Sequence, residues 1–401
     1  MDFDDAPEDA TFRAEWRSWL VANADPVPPG FRGGFLPPDG TDPGEISRAM
    51  DWQRRLAEAG WGAIAWPREH GGRAATPMQV YIRAQELAAF DVPPDLYAIG
   101  LGMIGPTLMA WGTEEQQRTY LPPMLDGSEI WCQLWSEPGA GSDIASITTR
   151  GEYDDQRDVW VLNGQKVWTS GAQWSRWGLI IVRTDPAAPK HRGLSAFVID
   201  MKGPGVDVRP LREMAGGSTF NEVFLTDVEV PATSLVGPAG QGWTVALTTM
   251  AHERLTAGLV GLAAMTTGPL IELARSATHN GRAATSDPVL RSRLIDVLLR
   301  HRVLELTTLR TLSAIAKTGA PGPESSTLKL SWSEVGSGFA ELAVDLLGVG
   351  GTLTGRTAPY GGQIPAAYSF APSFHIGGGT DEVQRSVIGE MVLGLPKEPR
   401  S

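Results

Sequence analysis

The chain has 401 residues, of which 42% are hydrophobic and 20% are charged. A chain of this length is too long for one ordinary hydrophobic core, so two or three packed units are expected. Acidic residues outnumber basic ones by 46 to 34, which gives a net charge of −12. This balance argues against a nucleic-acid partner, because phosphate backbones require a concentrated basic surface.

The predicted location is the cytoplasm. A single cysteine, Cys132, excludes an internal disulfide bond, which fits a reducing compartment. The start of the chain is acidic and lacks the apolar core of a secretory signal. No run approaches the ~20 apolar residues that a membrane helix needs, so no membrane partner is expected.

The first part of the chain is predicted to be helical. Apolar residues recur at helical spacing in two stretches between Trp52 and Ala88. Residues Thr113–Gln116 form a capping box, which starts another helix, and Pro122-Pro123 are predicted to end it. We assign residues 1–128 to an N-terminal helical domain.

Between residues 129 and 237 the apolar period falls to two, which indicates β-strands. Asn163-Gly164, flanked by valines, predicts a β-hairpin turn. Further strands are predicted at Gly178–Arg183, Leu194–Asp200, Val206–Val208 and Val223–Val230. Residues 129–237 are therefore assigned to a central antiparallel β domain.

Helical periodicity returns after Gly242 and holds to about Lys317, with further helices predicted over about 326–347 and 381–393. Residues 238–401 are assigned to a C-terminal helical domain. The predicted fold class is α+β and multidomain, with helices, then a sheet, then helices. Sites in such chains tend to lie where the units meet.

The first candidate site is the glycine-rich segment Ser136–Asp143. A turn of this kind lets backbone N–H groups converge on an anionic oxygen, and Ser142 adds a hydroxyl. An ordinary turn between a strand and a loop explains the segment equally well when it is taken alone.

The second candidate is Lys166–Ser170. Trp168 can stack on a planar ring, and the hydroxyls of Thr169 and Ser170 can hydrogen-bond its heteroatoms. The alternative is a core tryptophan within a strand, which this segment alone favours because the chain has 14 tryptophans.

The third candidate is Glu253. At 3.6 residues per turn it shares one helical face with Met250 and with the apolar residues Ala246, Ala257, Val260 and Ala264. A carboxylate on an apolar stripe is costly unless it is paired or used, and desolvation would raise its pKa toward that of a general base. The alternative is a structural ion pair with an arginine, although Arg254 points about 100° away on a helix.

The fourth candidate is Gly377–Arg385. Three successive glycines let the backbone approach a flat ligand closely. The alternative is a helix N-terminus that Thr380 caps. Both interpretations can hold together.

Four segments, in this order, resemble the acyl-CoA dehydrogenase family over nearly the whole chain. The matching segments are WCQLWSEPGAGSD (131–143), KVWTS (166–170), DVEVP (227–231) and GGTDEVQR (378–385). They are similar to the first family signature, the flavin-stacking segment, the strand that closes the β domain and the second signature. Four matches in register are far more specific than one.

The resemblance implies an FAD site and an acyl-CoA site, and no metal site. It assigns cofactor contacts to Gln133, Trp135, Ser136, Gly141, Ser142, Trp168, Thr169, Ser170, Thr380 and Glu382. It assigns substrate contacts to Ser142, Met250, Arg254, Gly378 and Gly379. By this resemblance Trp168 packs on the flavin ring and Ser170 reaches N5.

The implied activity is FAD-dependent acyl-CoA dehydrogenation in lipid metabolism, such as fatty acid or steroid degradation. A carboxylate removes the pro-R α-proton while the β-hydride goes to flavin N5, and backbone donors help to polarise the thioester carbonyl. The product is a trans-2-enoyl-CoA. Electrons pass to an electron-transferring flavoprotein or a similar acceptor.

One departure from the family pattern concerns the base. Many members carry the catalytic glutamate just before the Gly-Thr of the second signature, where this chain has Gly378. Other members place it on the helix after the β domain, directly before an arginine. His252-Glu253-Arg254 matches that arrangement, so the resemblance favours Glu253 as the catalytic base.

A second departure concerns the flavin diphosphate. In homotetrameric members a neighbouring subunit supplies an Arg-x-x-Phe segment, which Ala277–Arg282 lacks. Asp345 stands where the family has a glutamine, and a carboxylate repels a diphosphate. The hypothesis is an α2β2 heterotetramer in which a paralogue completes the site, as in the actinobacterial steroid side-chain dehydrogenases that the chain resembles; a homo-oligomer is the alternative.

Three other functions stay open at this point. The chain could be a half-site subunit that completes a paralogue's flavin site, although such a subunit has no need of Glu253. An acyl-CoA oxidase of the same fold differs in oxygen access, which sequence does not reveal. A carrier-protein thioester could replace the CoA thioester. Small residues such as Ala246 and Gly258 leave room for a bulky or branched acyl chain, although the same residues also allow close helix packing.

Overall fold

The computed structural model describes residues 4–27, 42–264, 266–279, 281–318, 322–355 and 357–397, with backbone only for residues 254–264. The chain divides into two compact units. The helical unit comprises Met1–Leu36, Ala75–Val92 and Ala257–Ser401. The sheet unit comprises Pro37–Ala74 and Pro93–Thr256.

The α-helices of the described residues are α1 (Pro7–Asn23), α2 (Pro43–Glu58), α3 (Pro77–Leu87), α4 (Gly105–Trp111), α5 (Glu114–Leu125), α6 (Gly242–Ala264), α7 (Gly268–Ser276), α8 (Pro288–Thr318), α9 (Ser326–Leu347), α10 (Gln363–Phe370) and α11 (Asp381–Val387). No helix of the described ranges is long and apolar enough to cross a membrane.

The strands are β1 (Asp25–Pro26), β2 (Phe90–Asp91), β3 (Trp131–Leu134), β4 (Arg150–Asp154), β5 (Val159–Lys166), β6 (Trp177–Arg183), β7 (Leu194–Asp200), β8 (Val206–Pro210), β9 (Asn221–Pro231), β10 (Leu235–Val236), β11 (Thr278–His279) and β12 (Arg282–Ala283). The main sheet has the order β10-β7-β6-β4-β5-β9-β8, and β3 pairs with β6 in parallel.

Strand β6 shows why this sheet is buried on both faces. Its sequence is almost continuously apolar, and successive side chains of a strand point to opposite faces. Leu179 and Ile181 pack in one apolar cluster, together with Val245 and Ala246 of α6. Ile180 and Val182 pack in another, on the opposite face. The sheet therefore provides a rigid base for the segments at its strand ends.

The core of the helical unit joins α3, α7, α8 and α9. Leu273, Leu304 and Phe339 are buried in one cluster with Tyr81. Glu86, which is also buried, accepts hydrogen bonds from Arg13 and Arg17 of α1. Helix α9 packs against α7, α8, α10 and α11 within this unit.

The order of helices, sheet and helices agrees with the sequence prediction, and α9 has the predicted bounds. The predicted domain boundaries at residues 128 and 237 stay a prediction. The helical stretch expected from Gly242 to Lys317 is interrupted between α7 and α8 by the short pair β11 and β12.

The hairpin predicted at Asn163-Gly164 is wrong. Both residues lie inside β5, where the register against β9 shifts between Leu162 and Gly164. The Asn163 side chain bonds Asp227 of β9 twice, accepting from its backbone N–H and donating to its carboxylate. A Cβ at Gly164 would lie 2.5 Å from Thr149 Oγ1. The dipeptide thus serves a β-bulge, where glycine permits a close approach.

The helix end predicted at Pro122-Pro123 is also wrong, because α5 continues to Leu125. Proline removes its own amide donor but keeps its carbonyl acceptor. The Pro122 carbonyl still accepts from the Asp126 amide at 3.0 Å. The capping box at Thr113 and Gln116 is confirmed.

Candidate active site

The two segments predicted to hold a flavin ring lie side by side in the sheet unit. Ser136 follows β3 and Val167 follows β5, and the Val167 amide donates to the Ser136 carbonyl at 2.9 Å. A backbone hydrogen bond therefore joins the glycine-rich segment directly to the tryptophan segment.

A fully buried lysine fastens these segments together. Lys166 Nζ donates to Glu137 Oε1 at 2.9 Å, to the Trp135 carbonyl at 3.1 Å and to the Ile181 carbonyl at 2.8 Å. Its side chain has no solvent exposure. One ammonium group of the second segment thus binds the first segment, the residue before it and strand β6.

Glu137 extends the connection to the loop before β4. Its Oε2 accepts from the Thr148 amide at 2.6 Å and from Thr148 Oγ1 at 2.9 Å, and its Oε1 accepts from the Thr149 amide at 2.9 Å. The carboxylate therefore has a donor on every side, as a buried charge requires.

Both members of the pair are ionised at neutral pH. Burial favours a neutral Glu137, but Lys166 and the Thr148 amide prevail and lower the pKa of Glu137 to about 2. Burial lowers the pKa of Lys166 to about 8, and the Glu137 carboxylate limits that fall. The sequence did not predict this pair, because no local pattern connects two charged residues that lie 29 positions apart.

Trp168 is not a core tryptophan in the described structure. Its side chain is 62% exposed, and its backbone φ is +61°. A bulky residue rarely adopts this left-handed conformation, which costs roughly 1–3 kcal/mol and is concentrated at functional sites. Phe220 contacts the indole edge-on at 6.0 Å between ring centroids. Most of the indole surface is nevertheless exposed.

The backbone after Trp168 is fixed by Asn221 at the start of β9. The Thr169 amide donates to the Asn221 carbonyl at 3.1 Å, and Asn221 Nδ2 donates to the Thr169 carbonyl at 2.9 Å. These bonds explain how the strained conformation at Trp168 is held.

Several buried polar atoms in or beside these segments have no hydrogen-bond partner among the described residues, including Gln133 Oε1, Trp135 Nε1 and Thr169 Oγ1. Buried polar atoms of native proteins are nearly always paired. Beside them, a Cβ added at Gly139 or Gly141 would meet no atom within 4 Å. An exposed indole, unsatisfied polar atoms and open glycine backbone fit the edge and face of a flat heteroaromatic ring.

Hydrogen bonds and an ion pair fix the loop that carries Ser142. Asp143 accepts from Ser146 Oγ at 2.6 Å and from the ammonium group of Lys190, and the Lys190 bond lowers the pKa of Asp143. Arg183 donates to the Ala145 carbonyl at 2.7 Å. Ser142 itself is exposed, so its hydroxyl is accessible to a ligand.

Glu253 lies half-buried on α6, in the part of that helix that belongs to the sheet unit. One turn earlier, Thr249 Oγ1 lies 2.9 Å from Thr107 Oγ1 of α4 within the core. Burial lowers the pKa of the neighbouring His252, which favours the neutral imidazole. Met250 packs against the same core cluster, whereas the side chain of Arg254 lies outside the described residues.

The glycine loop belongs to the helical unit. Gly378 and Gly379 both have positive φ, of 68° and 87°, which glycine adopts without strain. Thr380 caps α11 by accepting from the Val383 amide at 3.3 Å, as the sequence predicted. Glu382 is exposed on the first turn of α11.

Asp345 pairs with a cation. Its Oδ2 accepts from Arg293 Nη1 of α8 at 2.5 Å, and both side chains are partly exposed. The arginine offsets much of the repulsion that the sequence analysis attributed to this carboxylate. The other segment in question, Ala277–Arg282, contains β11 and the first residue of β12.

Models of three domains of one family match successive parts of the chain. They are the N-terminal, middle and C-terminal domains of acyl-CoA dehydrogenase, which match residues 39–128, 132–228 and 240–393. The chain belongs to the acyl-CoA dehydrogenase family. The members are FAD-dependent oxidoreductases, so the predicted family, enzyme class and fold are confirmed.

This acyl-CoA dehydrogenase is 38% identical over 398 residues to acyl-CoA dehydrogenase IpdE1 of Mycobacterium tuberculosis, covering 97% of this chain and 98% of the relative. A solved structure described as Tcur3481-Tcur3483 steroid ACAD matches with a TM-score of 0.85 and 27% identity, covering 99% and 100% of the two chains. The ChsE4-ChsE5 complex from Mycobacterium tuberculosis matches with a TM-score of 0.80 and 28% identity, again covering 99% and 100%.

Proposed function

We propose that this chain is the base-bearing subunit of an FAD-dependent acyl-CoA dehydrogenase that desaturates the α,β bond of a CoA thioester. The observation that carries this proposal is the strained, exposed Trp168, together with the unpaired buried atoms Gln133 Oε1 and Thr169 Oγ1 of the same two segments and their flanks. These features fit a flat, polar-edged cofactor, and the family supplies FAD as that cofactor.

The residues that would hold FAD come from three segments. They are Gln133, Trp135, Ser136, Gly141 and Ser142, then Trp168, Thr169 and Ser170, and finally Thr380 and Glu382. Trp168 would stack on the ring, and Ser170 would hydrogen-bond near its reactive edge. When bound, FAD supplies the hydride acceptor of the reaction.

Glu253 would remove the α-proton of the thioester. Its half-buried position on an apolar helix supports this role, because partial desolvation favours a carboxylate that accepts a proton. Gly378 offers no side chain for the task. Backbone N–H groups of Gly378 and Gly379 would polarise the thioester carbonyl, while Ser142, Met250 and Arg254 would contact the rest of the substrate.

We further propose a bulky acyl group, with a steroid side chain as the first candidate. A similar solved structure is described as a steroid ACAD. Gly258 and Gly261 of α6 are consistent with a wide substrate, whereas Ala246 is buried in the core against the sheet. An electron-transferring flavoprotein or a similar acceptor would then reoxidise the enzyme.

A heteromeric α2β2 assembly with a paralogue is part of the proposal. Its supports are the missing Arg-x-x-Phe segment at 277–282 and the similar ChsE4-ChsE5 complex of two different chains. Asp345 is weaker support than the sequence alone indicated, because Arg293 offsets its charge. Light scattering of the purified chain tests the assembly; a homotetramer with one flavin per subunit contradicts it.

The deciding experiment for the reaction is an anaerobic titration of the flavin-loaded enzyme with a panel of straight-chain, branched and steroid acyl-CoA thioesters. Bleaching of flavin absorbance is expected with at least one member. Glu253→Gln should abolish this bleaching without loss of flavin. Glu272→Gln, which changes an exposed carboxylate of α7, is the matched control. Full bleaching by Glu253→Gln would remove Glu253 from the mechanism.

The same preparation tests the two alternative functions. Rapid reoxidation by oxygen after reduction would indicate an oxidase. Absence of bleaching with every thioester, alone and with the purified paralogue, would indicate a half-site subunit without its own chemistry.

A further inference from the structure

Two polar residues bracket the glycine loop Gly377–Gly379. His375 precedes the loop and Asp381 follows it, and His375 Nδ1 lies 2.6 Å from Asp381 Oδ2. This contact closes the base of the loop, because it joins the chain on its two sides. Asp381 is almost completely buried, with 5% of its surface exposed.

Residues of helix α9 contact both His375 and Asp381. Lys329 Nζ donates to Asp381 Oδ1 at 3.0 Å, and Ser337 Oγ lies 2.7 Å from His375 Nε2. Ser333 Oγ, between them on α9, donates to the Phe374 carbonyl at 2.7 Å. Burial favours a neutral Asp381, but the bonds from His375 and Lys329 prevail and lower its pKa. The carboxylate is therefore ionised and fully paired.

The order Ser337, His375 and Asp381 resembles the triad of a serine hydrolase, yet the surroundings favour a different role. Ser337 lies in the middle of α9, where backbone N–H groups are used by the helix and cannot form an oxyanion hole. Asp381 also shares its charge with Lys329. The cluster is therefore suited to fix the backbone rather than to activate the serine.

The loop requires such support. Glycine loses more conformational freedom on folding than any other residue, so three glycines in succession are costly to hold in one conformation. Gln384 contributes, since its Nε2 donates to the Gly378 carbonyl at 2.9 Å. The His375–Asp381 closure restricts the same peptides from the two ends of the loop.

We propose that Asp381 and His375 are positioning residues that clasp the glycine loop, so that the N–H groups of Gly378 and Gly379 are already aligned for the thioester carbonyl. This inference rests on the proposed function, in which these two glycines polarise the substrate. We call the His375–Asp381 contact the clasp. Because an oxyanion site acts through the placement of its donors, loss of this contact should slow removal of the α-proton more than it weakens substrate binding.

The test separates proton removal from hydride transfer. The probe is 3,3-dimethylbutanoyl-CoA, which has two α-hydrogens and no β-hydrogen to lose as hydride. The flavin-loaded enzyme is incubated with it in D₂O, and exchange of the pro-R α-hydrogen is followed by proton NMR. Each exchange removes one proton and returns one deuteron, so no oxidant is consumed.

Asp381→Asn is expected to slow this exchange about 10- to 100-fold, with flavin content unchanged. With a substrate that bleaches the flavin, the same variant should lower kcat while KM changes little. Glu341→Gln, an exposed carboxylate change on α9, is the control and should exchange like the wild type. His375→Gln, at a partly exposed residue, is a second variant with the same expected direction in case Asp381→Asn does not fold.

The possible failures are distinct. If Asp381→Asn and His375→Gln exchange at the wild-type rate, the clasp is wrong and the proposed function stands. If the wild type exchanges no faster than Glu253→Gln, the proposed base is wrong. The proposed positioning role of Asp381 and His375 is then wrong as well, because it depends on that proton removal.

Discussion

Lys166 and Glu137 lie 29 residues apart in sequence and form a buried ion pair at 2.9 Å that joins the two segments proposed to hold the flavin ring. The residue after Ser136 thereby contacts the residue two before Trp168. A buried pair of this kind is a weak source of stability by itself, because desolvation offsets much of the attraction. The pair joins the two segments directly, because the Lys166 ammonium group binds both Glu137 and the Trp135 carbonyl.

Removal of the lysine charge should destabilise the protein strongly. Lys166→Met leaves the Glu137 carboxylate buried without its cation, which typically costs about 3–5 kcal/mol in the free energy of unfolding. Urea denaturation of the apoprotein measures it. Lys190→Met, which breaks the exposed pair with Asp143, is the control and should cost much less. Equal losses in the two variants would contradict the structural role of the buried pair.

The stability of the protein should fall in acid in a way that Glu137 explains. The folded-state pKa of Glu137 is about 2, below its ordinary value of 4.5. A lowered carboxyl pKa contributes stability that is complete above about pH 4.5 and is lost as the pH falls toward 2. The contribution is on the order of 3 kcal/mol.

Unfolding free energies between pH 6 and pH 3 measure this dependence. The double variant Glu137→Gln/Lys166→Met lacks both titrating groups and should show a shallower decline over the same range. An identical slope in the wild type and the double variant would assign the acid sensitivity to other carboxylates.

Substitution of Trp168 should separate flavin affinity from stability. Trp168→Gly removes the exposed indole and places glycine at a backbone φ of +61°, which glycine adopts without strain. The unfolding free energy should stay equal or rise, whereas the dissociation constant for FAD should increase about 10-fold through loss of stacking. Titration of apoprotein with FAD gives the affinity.

Trp168→Phe keeps a ring at the same place and serves as the comparison, with a smaller expected loss of affinity. A large fall in stability on Trp168→Gly would show that the indole supports the fold rather than the cofactor.

The hydroxyl contact between Thr249 and Thr107 should fix the position of Glu253. Thr249→Val removes one buried hydroxyl and is expected to cost about 1 kcal/mol of stability. Since Glu253 lies one helical turn beyond Thr249, kcat should fall while the FAD content is retained. Steady-state kinetics checks this; Thr248→Val, whose hydroxyl accepts from Trp111 on another face of α6, is the matched comparison.

The sequence by itself determined the features that depend on local backbone chemistry. The capping box at Thr113 and the cap at Thr380 follow from side chains within three residues of the groups they bind. Apolar patterning located β6, β7, β8 and β9, because it reports burial directly, whereas β3 and β4 were not predicted. Four motifs in order were enough to indicate the family.

Only the tertiary structure decided the features that depend on partners distant in the chain. The Asn163-Gly164 dipeptide became a bulge because Asp227 and Thr149 lie against it. The burial of the charged Lys166 side chain depends on its pairing with Glu137, and no local sequence pattern connects these two residues. Local signals specify φ, ψ and side-chain period, whereas the pairing of buried charges and the exposure of Trp168 depend on how packed elements meet.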